Sequence, residues 1–118
     1  MKRQARILIV DDDDLFRRAL ARRLRSKVTL FVAASADEAR AVIAAEEIDA
    51  VVTDYDLGTA ETGLDLLREL VRARPQVRRI LMTGALPQGL QPEDGLCETV
   101  LDKPFDARIL IDLLDADR

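Results

Sequence analysis

Ile7-Leu8-Ile9-Val10-Asp11-Asp12-Asp13-Asp14 decides the fold: an apolar run of strand length ends abruptly in carboxylate. An unbroken run of this kind suits a strand covered on both faces, as in a parallel sheet. The pattern returns where Ala50-Val51-Val52-Thr53 runs into Asp54. In a parallel sheet both carboxylate sets emerge at one edge, so three or more negative charges crowd one crevice. Like charges about 4 Å apart near a protein surface repel by roughly 4 kcal/mol. Such crowding persists where something positive sits among the charges, and a hard divalent cation with oxygen ligands meets that need.

Outward from these two stretches, apolar runs recur at Ile7–Val10, Val28–Ala33, Ile48–Thr53, Ile80–Thr83 and Thr99–Leu101. Segments of helical period separate them. Leu15, Phe16, Ala19, Leu20 and Leu24 are expected on one face of a first helix, and Ser35-Ala36-Asp37-Glu38 reads as a capping box opening a second that buries Ala39, Val42 and Ile43. Leu64, Leu67, Leu70 and Val71 mark another helix, with Pro75 just beyond its end. Phe105, Ile109, Leu110, Leu113 and Leu114 mark the last. Strands alternating with helices imply βαβ units, right-handed crossovers and a doubly wound α/β sheet of five parallel strands. Between Thr83 and Thr99 the glycines and prolines disfavour a full helix, so a short or distorted fourth helix is expected, a single turn after Pro92.

A chain of 118 residues is expected to form one domain, spanning 1–118. With 48% hydrophobic and 34% charged residues, the composition is that of a globular protein rather than a disordered or membrane one. Apolar runs fall well short of the ~20 residues of a spanning helix, and Ile7–Val10 is too short for a signal-peptide core. The single Cys97 rules out an internal disulfide framework, fits a cytoplasmic location and reads as a small semi-buried filler. A net charge of −4 speaks against non-specific nucleic-acid binding. With no histidine, the commonest general base is missing, and carboxylate, hydroxyl and amine chemistry remains.

Ligands of open α/β sheets bind outside the carboxyl ends of the strands. The first strand ends at Asp11-Asp12, the third at Asp54, the fourth at Thr83-Gly84 and the fifth at Asp102-Lys103-Pro104. Carboxylates can hold magnesium, while a hydroxyl, an ammonium and a backbone donor beside glycine can hold phosphate oxygens. The set suits phosphoryl transfer, in which catalysis is positioning and charge neutralisation, with Asp54 as acceptor.

In these four motifs, taken in order, the chain resembles the response-regulator receiver domains of two-component signalling. The resemblance implies a flavodoxin-like fold of strand order 2-1-3-4-5. It further implies Asp54 as phosphoacceptor, Asp11 and Asp12 as the metal-binding pair, and the carbonyl of Asp56 as a further metal ligand. Thr83 and Gly84 would bind the phosphoryl group and Lys103 would pair with it, through a cis Lys103–Pro104 peptide. The implied partners are a histidine kinase or phosphotransfer protein, which this family docks near its first helix, and a downstream protein or fused output domain. The domain would catalyse only its own phosphorylation and slow dephosphorylation.

Departures from the family pattern are equally legible. Gly58 stands where relatives often carry proline, and the glycine opening the third helix comes one residue late, at Gly63, so a longer, looser loop over 56–62 is expected. Val100 replaces the usual aromatic switch residue. Asp13 and Asp14 read as helix N-terminal residues rather than metal ligands, and Arg17, Arg18, Arg22, Arg23 and Arg25 as a solvated basic face. Two other functions fit in part. One is a receiver-like interaction module that no longer takes phosphate. The other is a phosphatase of the haloacid-dehalogenase type, which Asp54-Tyr55-Asp56-Leu57-Gly58 resembles except at Gly58 and in the position of its acidic pair.

Overall fold

Five parallel strands form the sheet in the order β2-β1-β3-β4-β5. They are β1 (Arg6–Val10), β2 (Thr29–Ala33), β3 (Ala50–Asp54), β4 (Arg78–Thr83) and β5 (Thr99–Asp102), in a computed structural model describing residues 3–115. Four helices, α1 (Asp14–Leu24), α2 (Ala36–Ala45), α3 (Gly63–Ala73) and α4 (Ala107–Asp115), complete the described chain. The expected strand order stands; of the expected domain, residues 1–2 and 116–118 lie outside the described residues.

Because successive strand side chains point to opposite faces, the sheet divides its apolar residues into two cores. Leu8, Val10, Val51 and Leu81 meet Ala39 of α2 and Leu64, Leu67 and Leu70 of α3. On the other face Ile7, Ile9, Val52, Ile80 and Met82 meet Leu20 and Leu24 of α1 and Leu110 and Leu114 of α4. Register brings the functional ends level. Val10 pairs with Thr53, so Asp11 and Asp54 follow together, while Asp54 pairs with Met82 and Thr83 with Asp102.

The expected placing of Leu15 on one face with Leu20 and Leu24 is corrected: Leu15 is 81% exposed. Leu15 precedes Leu24 by about two and a half turns, which puts it on the opposite side of α1. The inward stripe is instead Leu20, Ala21 and Leu24, flanked by Phe16.

The expected fourth helix is corrected too, since residues 84–98 form no helix. Two hydrogen-bonded turns stand in its place, Leu90 N to Pro87 O at 3.0 Å and Leu96 N to Glu93 O at 3.1 Å. Gly89 and Gly95, at φ 81° and 82°, supply the left-handed third residue of each. Leu96 is buried in the α2–α3 core, Arg79 donates to the Leu96 carbonyl at 2.8 Å, and Arg68 clasps Glu93 with two bonds of 2.8 and 3.0 Å. One buried leucine and two arginines anchor this segment where a helix would have used an apolar stripe.

Candidate functional site

β1 delivers Asp11 to the carboxyl edge of the sheet, where it is fully buried. Its Oδ1 accepts the Asp13 N–H at 2.8 Å, its Oδ2 accepts Lys103 Nζ at 3.0 Å, and its carbonyl accepts Arg17 Nη1 at 2.7 Å. Asp12 is exposed at the rim. Asp13 caps α1 by accepting the Phe16 N–H at 3.1 Å, and Asp14 pairs with Arg17 and Arg18 in the first turn. Both therefore serve the helix, as their position suggests. Arg22, Arg23 and Arg25 are exposed.

β3 delivers Asp54, 7% exposed, with Oδ2 3.5 Å from Lys103 Nζ. Ligand oxygens of Asp11, Asp12 and Asp54 all lie within 4.8 Å of one another. Burial first, then the charge of Asp11, push the Asp54 carboxyl up to about 6, against the opposing pull of Lys103. For Lys103 burial works downward, but its hydrogen bond to Asp11 and the charges of Asp11 and Asp54 outweigh it and hold the amine above its ordinary range. An oxygen-only set with an ammonium already drawn into it fits a hard divalent cation.

Thr83 ends β4 nearly buried, its carbonyl accepting the Lys103 N–H at 2.8 Å, and Gly84 is exposed beside it. The Lys103–Pro104 peptide is cis, as expected. Asp56 is exposed in the loop after β3, and its carboxylate accepts the Gly58 N–H at 2.9 Å; it stands apart from the three clustered carboxylates.

The loop expected to be loose is tied down. Thr62 and Asp65 form a capping box, the Thr59 hydroxyl bonds the Glu61 carbonyl at 3.1 Å, and Glu61 pairs with Arg40 of α2. Gly58, at φ 76°, sits in the left-handed region that favours glycine. At Gly63 a Cβ would meet the Asp54 carbonyl oxygen at 2.1 Å, so glycine lets α3 start against the end of β3. Val100 is half-buried, paired with Leu81 and packed on the α2–α3 core. Cys97 is half-buried and burial raises its thiol pKa, in keeping with a filler.

Two contacts escaped the sequence reading. Phe16 places its ring centroid 4.1 Å from Lys103 Nζ, and Arg17 grips the Asp11 carbonyl. Only their spacing on α1 after the acidic run hinted at either.

Fold and site together define a doubly wound α/β protein with a part-buried, ammonium-countered acidic cluster at its sheet edge. A sequence model of the response regulator receiver domain matches residues 7–115, and the chain belongs to that family. It is 35% identical to the response regulator protein FleR of Pseudomonas aeruginosa over 116 residues, 93% of this chain and 24% of that protein. It is 32% identical over 82 residues to the hydrogenase transcriptional regulatory protein HoxA of Cupriavidus necator, 70% of this chain and 17% of that protein. The chain thus spans a quarter or less of these relatives' length. Among solved structures, the signal receiver domain of an HD domain-containing protein from Pseudomonas fluorescens superposes with a TM-score of 0.86 at 29% identity, over 95% of this chain and 92% of that one. A Burkholderia pseudomallei response regulator, solved with a phosphorylated aspartic acid, calcium ion and citrate, gives 0.82 at 27% identity, over 95% of this chain and 67% of that one. The receiver family and its fold are as expected, and no described helix is long and apolar enough to cross a membrane.

Proposed function

We propose that this receiver domain takes a phosphoryl group onto Asp54 from a histidine kinase or phosphotransfer protein and passes the change on by protein contact. One observation carries the reading: the Lys103 ammonium lies between Asp11 and Asp54, at 3.0 and 3.5 Å, beside a third carboxylate, Asp12.

An Asp54 oxygen attacks phosphorus, the bond from phosphorus to the donor nitrogen or oxygen breaks, and its electron pair leaves with the donor. With its pKa near 6, Asp54 is ionised at neutral pH yet more basic than an ordinary aspartate. Lys103 pairs with the phosphoryl oxygens, while the Thr83 hydroxyl and the Gly84 N–H donate to them. Asp11 and Asp12, with Asp54 and the carbonyl of Asp56, would hold magnesium, which supplies neutralisation of phosphoryl charge. Slow hydrolysis by water resets the domain, its only catalysis besides its own phosphorylation.

The downstream element is a protein or a fused output domain, and the setting is the cytoplasm. The helix-free 84–98 segment and Val100 favour an output surface of the domain's own, and leave open a module that signals without phosphate. Incubation with acetyl phosphate and magnesium, read by intact mass, tests the reading. Wild type should gain a hydroxylamine-sensitive phosphoryl group and Asp54→Asn none. A modified Asp54→Asn protein, or an unmodified wild type, would overturn it.

A further inference from the structure

Lys103 has a neighbour besides the carboxylates. The Phe16 ring lies under its ammonium, 4.1 Å from centroid to Nζ, well inside the ~6 Å reach of a cation–π contact. The lysine side chain is 15% exposed, so water screens this attraction only in part. Phe16 is held from two directions. Its N–H is capped by Asp13, which fixes the first turn of α1 directly after Asp11 and Asp12. Its ring meets the Phe105 ring edge-on, centroids 5.9 Å apart at 67°. The short stretch Lys103-Pro104-Phe105 therefore gives the ring both its cation and its aromatic support.

A lysine amine on a flexible four-carbon stem needs fixing if it is to act at one place. The two carboxylates that hold it, Asp11 and Asp54, are also oxygen donors of the cation cluster, so their grip weakens whenever a divalent cation shares them. The ring binds no hard cation through oxygen and has no such competitor. We propose that Phe16 is a positioning residue for Lys103, keeping the ammonium at the Asp11–Asp54 edge when the carboxylates are engaged elsewhere. This rests on the role given to Lys103 under the proposed function.

Phe16→Leu and Phe16→Met remove the ring but keep an apolar side chain; Phe16→Tyr keeps the ring. With acetyl phosphate at saturating magnesium, the ring-free variants should be phosphorylated about 3- to 10-fold more slowly, the scale of a partly buried cation–π contact. Phe16→Tyr should recover most of the rate. Magnesium affinity should stay within about twofold of wild type in all three, since the ring touches the amine and not the oxygen donors. In proton NMR the Lys103 ε-methylene should lie upfield of exposed lysines in wild type and Phe16→Tyr, and return to ordinary values in Phe16→Leu. Wild-type rates in both ring-free variants, or equal slowing in Phe16→Leu and Phe16→Tyr, would overturn the proposal. Should wild type take no phosphoryl group, the functional reading falls, and an unshifted Lys103 signal would then overturn the positioning by the ring as well.

Discussion

Replacing Asp54 by asparagine should make the metal-free protein more stable at neutral pH and leave its stability in acid almost unchanged. Burial and the charge of Asp11 raise the Asp54 carboxyl from its ordinary 3.8 to about 6. The folded protein therefore holds this proton more tightly than the unfolded chain does. The stability linked to it is fully present below about pH 4 and is lost as pH rises through about 6. At about 1.4 kcal/mol per pH unit the full loss is about 3 kcal/mol, and water at the rim lowers the expectation to about 1–3 kcal/mol. Asparagine keeps the shape without the charge, and Lys103 retains Asp11 at 3.0 Å, so no buried amine is stranded. For a domain of this size the gain is about 3–10 °C in Tm at pH 7.5. Thermal melts in EDTA at pH 7.5 and pH 4 measure it directly. An Asp54→Asn variant no more stable than wild type at pH 7.5, or equally favoured at both pH values, would refute the argument.

Magnesium at about a hundred times its Kd should stabilise wild type by about 2.7 kcal/mol, and Asp12→Asn should weaken that gain while melting higher in EDTA; scanning calorimetry across a magnesium series checks both. Gly63→Ala should cost about 3 kcal/mol or more in urea unfolding, because its Cβ would meet the Asp54 carbonyl oxygen at 2.1 Å. Gly84→Ala, with nothing within 4 Å of its Cβ, should stay within about 0.5 kcal/mol of wild type in the same titration. Beryllofluoride with magnesium should protect residues 84–95 from hydrogen exchange, since Val100 has no ring to relay the change; protection confined to the loops at Asp12 and Asp54 would refute this.

Strand positions are legible because buried parallel strands are nearly continuous apolar runs, and four of the five end in residues of evident chemistry, β2 with its Ala33 being the exception. Strand order came from the family resemblance, as periodicity carries no information about neighbours. The errors have physical causes. Leu15 is apolar yet lies opposite the Leu20–Leu24 stripe, so composition misled where helical phase would have informed. The glycines and prolines of 84–98 suggest a weakened helix, whereas two turns and the buried Leu96 replace it. The loop over 56–62 looks loose in the sequence because its anchor to Arg40 on α2 is tertiary. The Phe16–Lys103 contact is of the same kind: two residues far apart in sequence that meet only once α1 packs beside the end of β5.

The two-turn stretch between β4 and β5 also makes this domain easy to rewire. Gln91 is exposed, lies between the turn closed by Pro87 and Leu90 and the turn closed by Glu93 and Leu96, and belongs to neither core. A reporter domain inserted there, or new chain ends cut there, would leave every strand pairing and the Arg68–Glu93 clasp in place. The upstream side of the cut runs back through Gly84 to Thr83, at the same sheet edge as Asp54. A fluorescent protein spliced at Gln91 would therefore hang from the strand that ends beside Asp54, a starting design for a sensor whose emission follows changes at that edge. Unchanged magnesium stabilisation of the spliced protein is the first criterion such a design must meet.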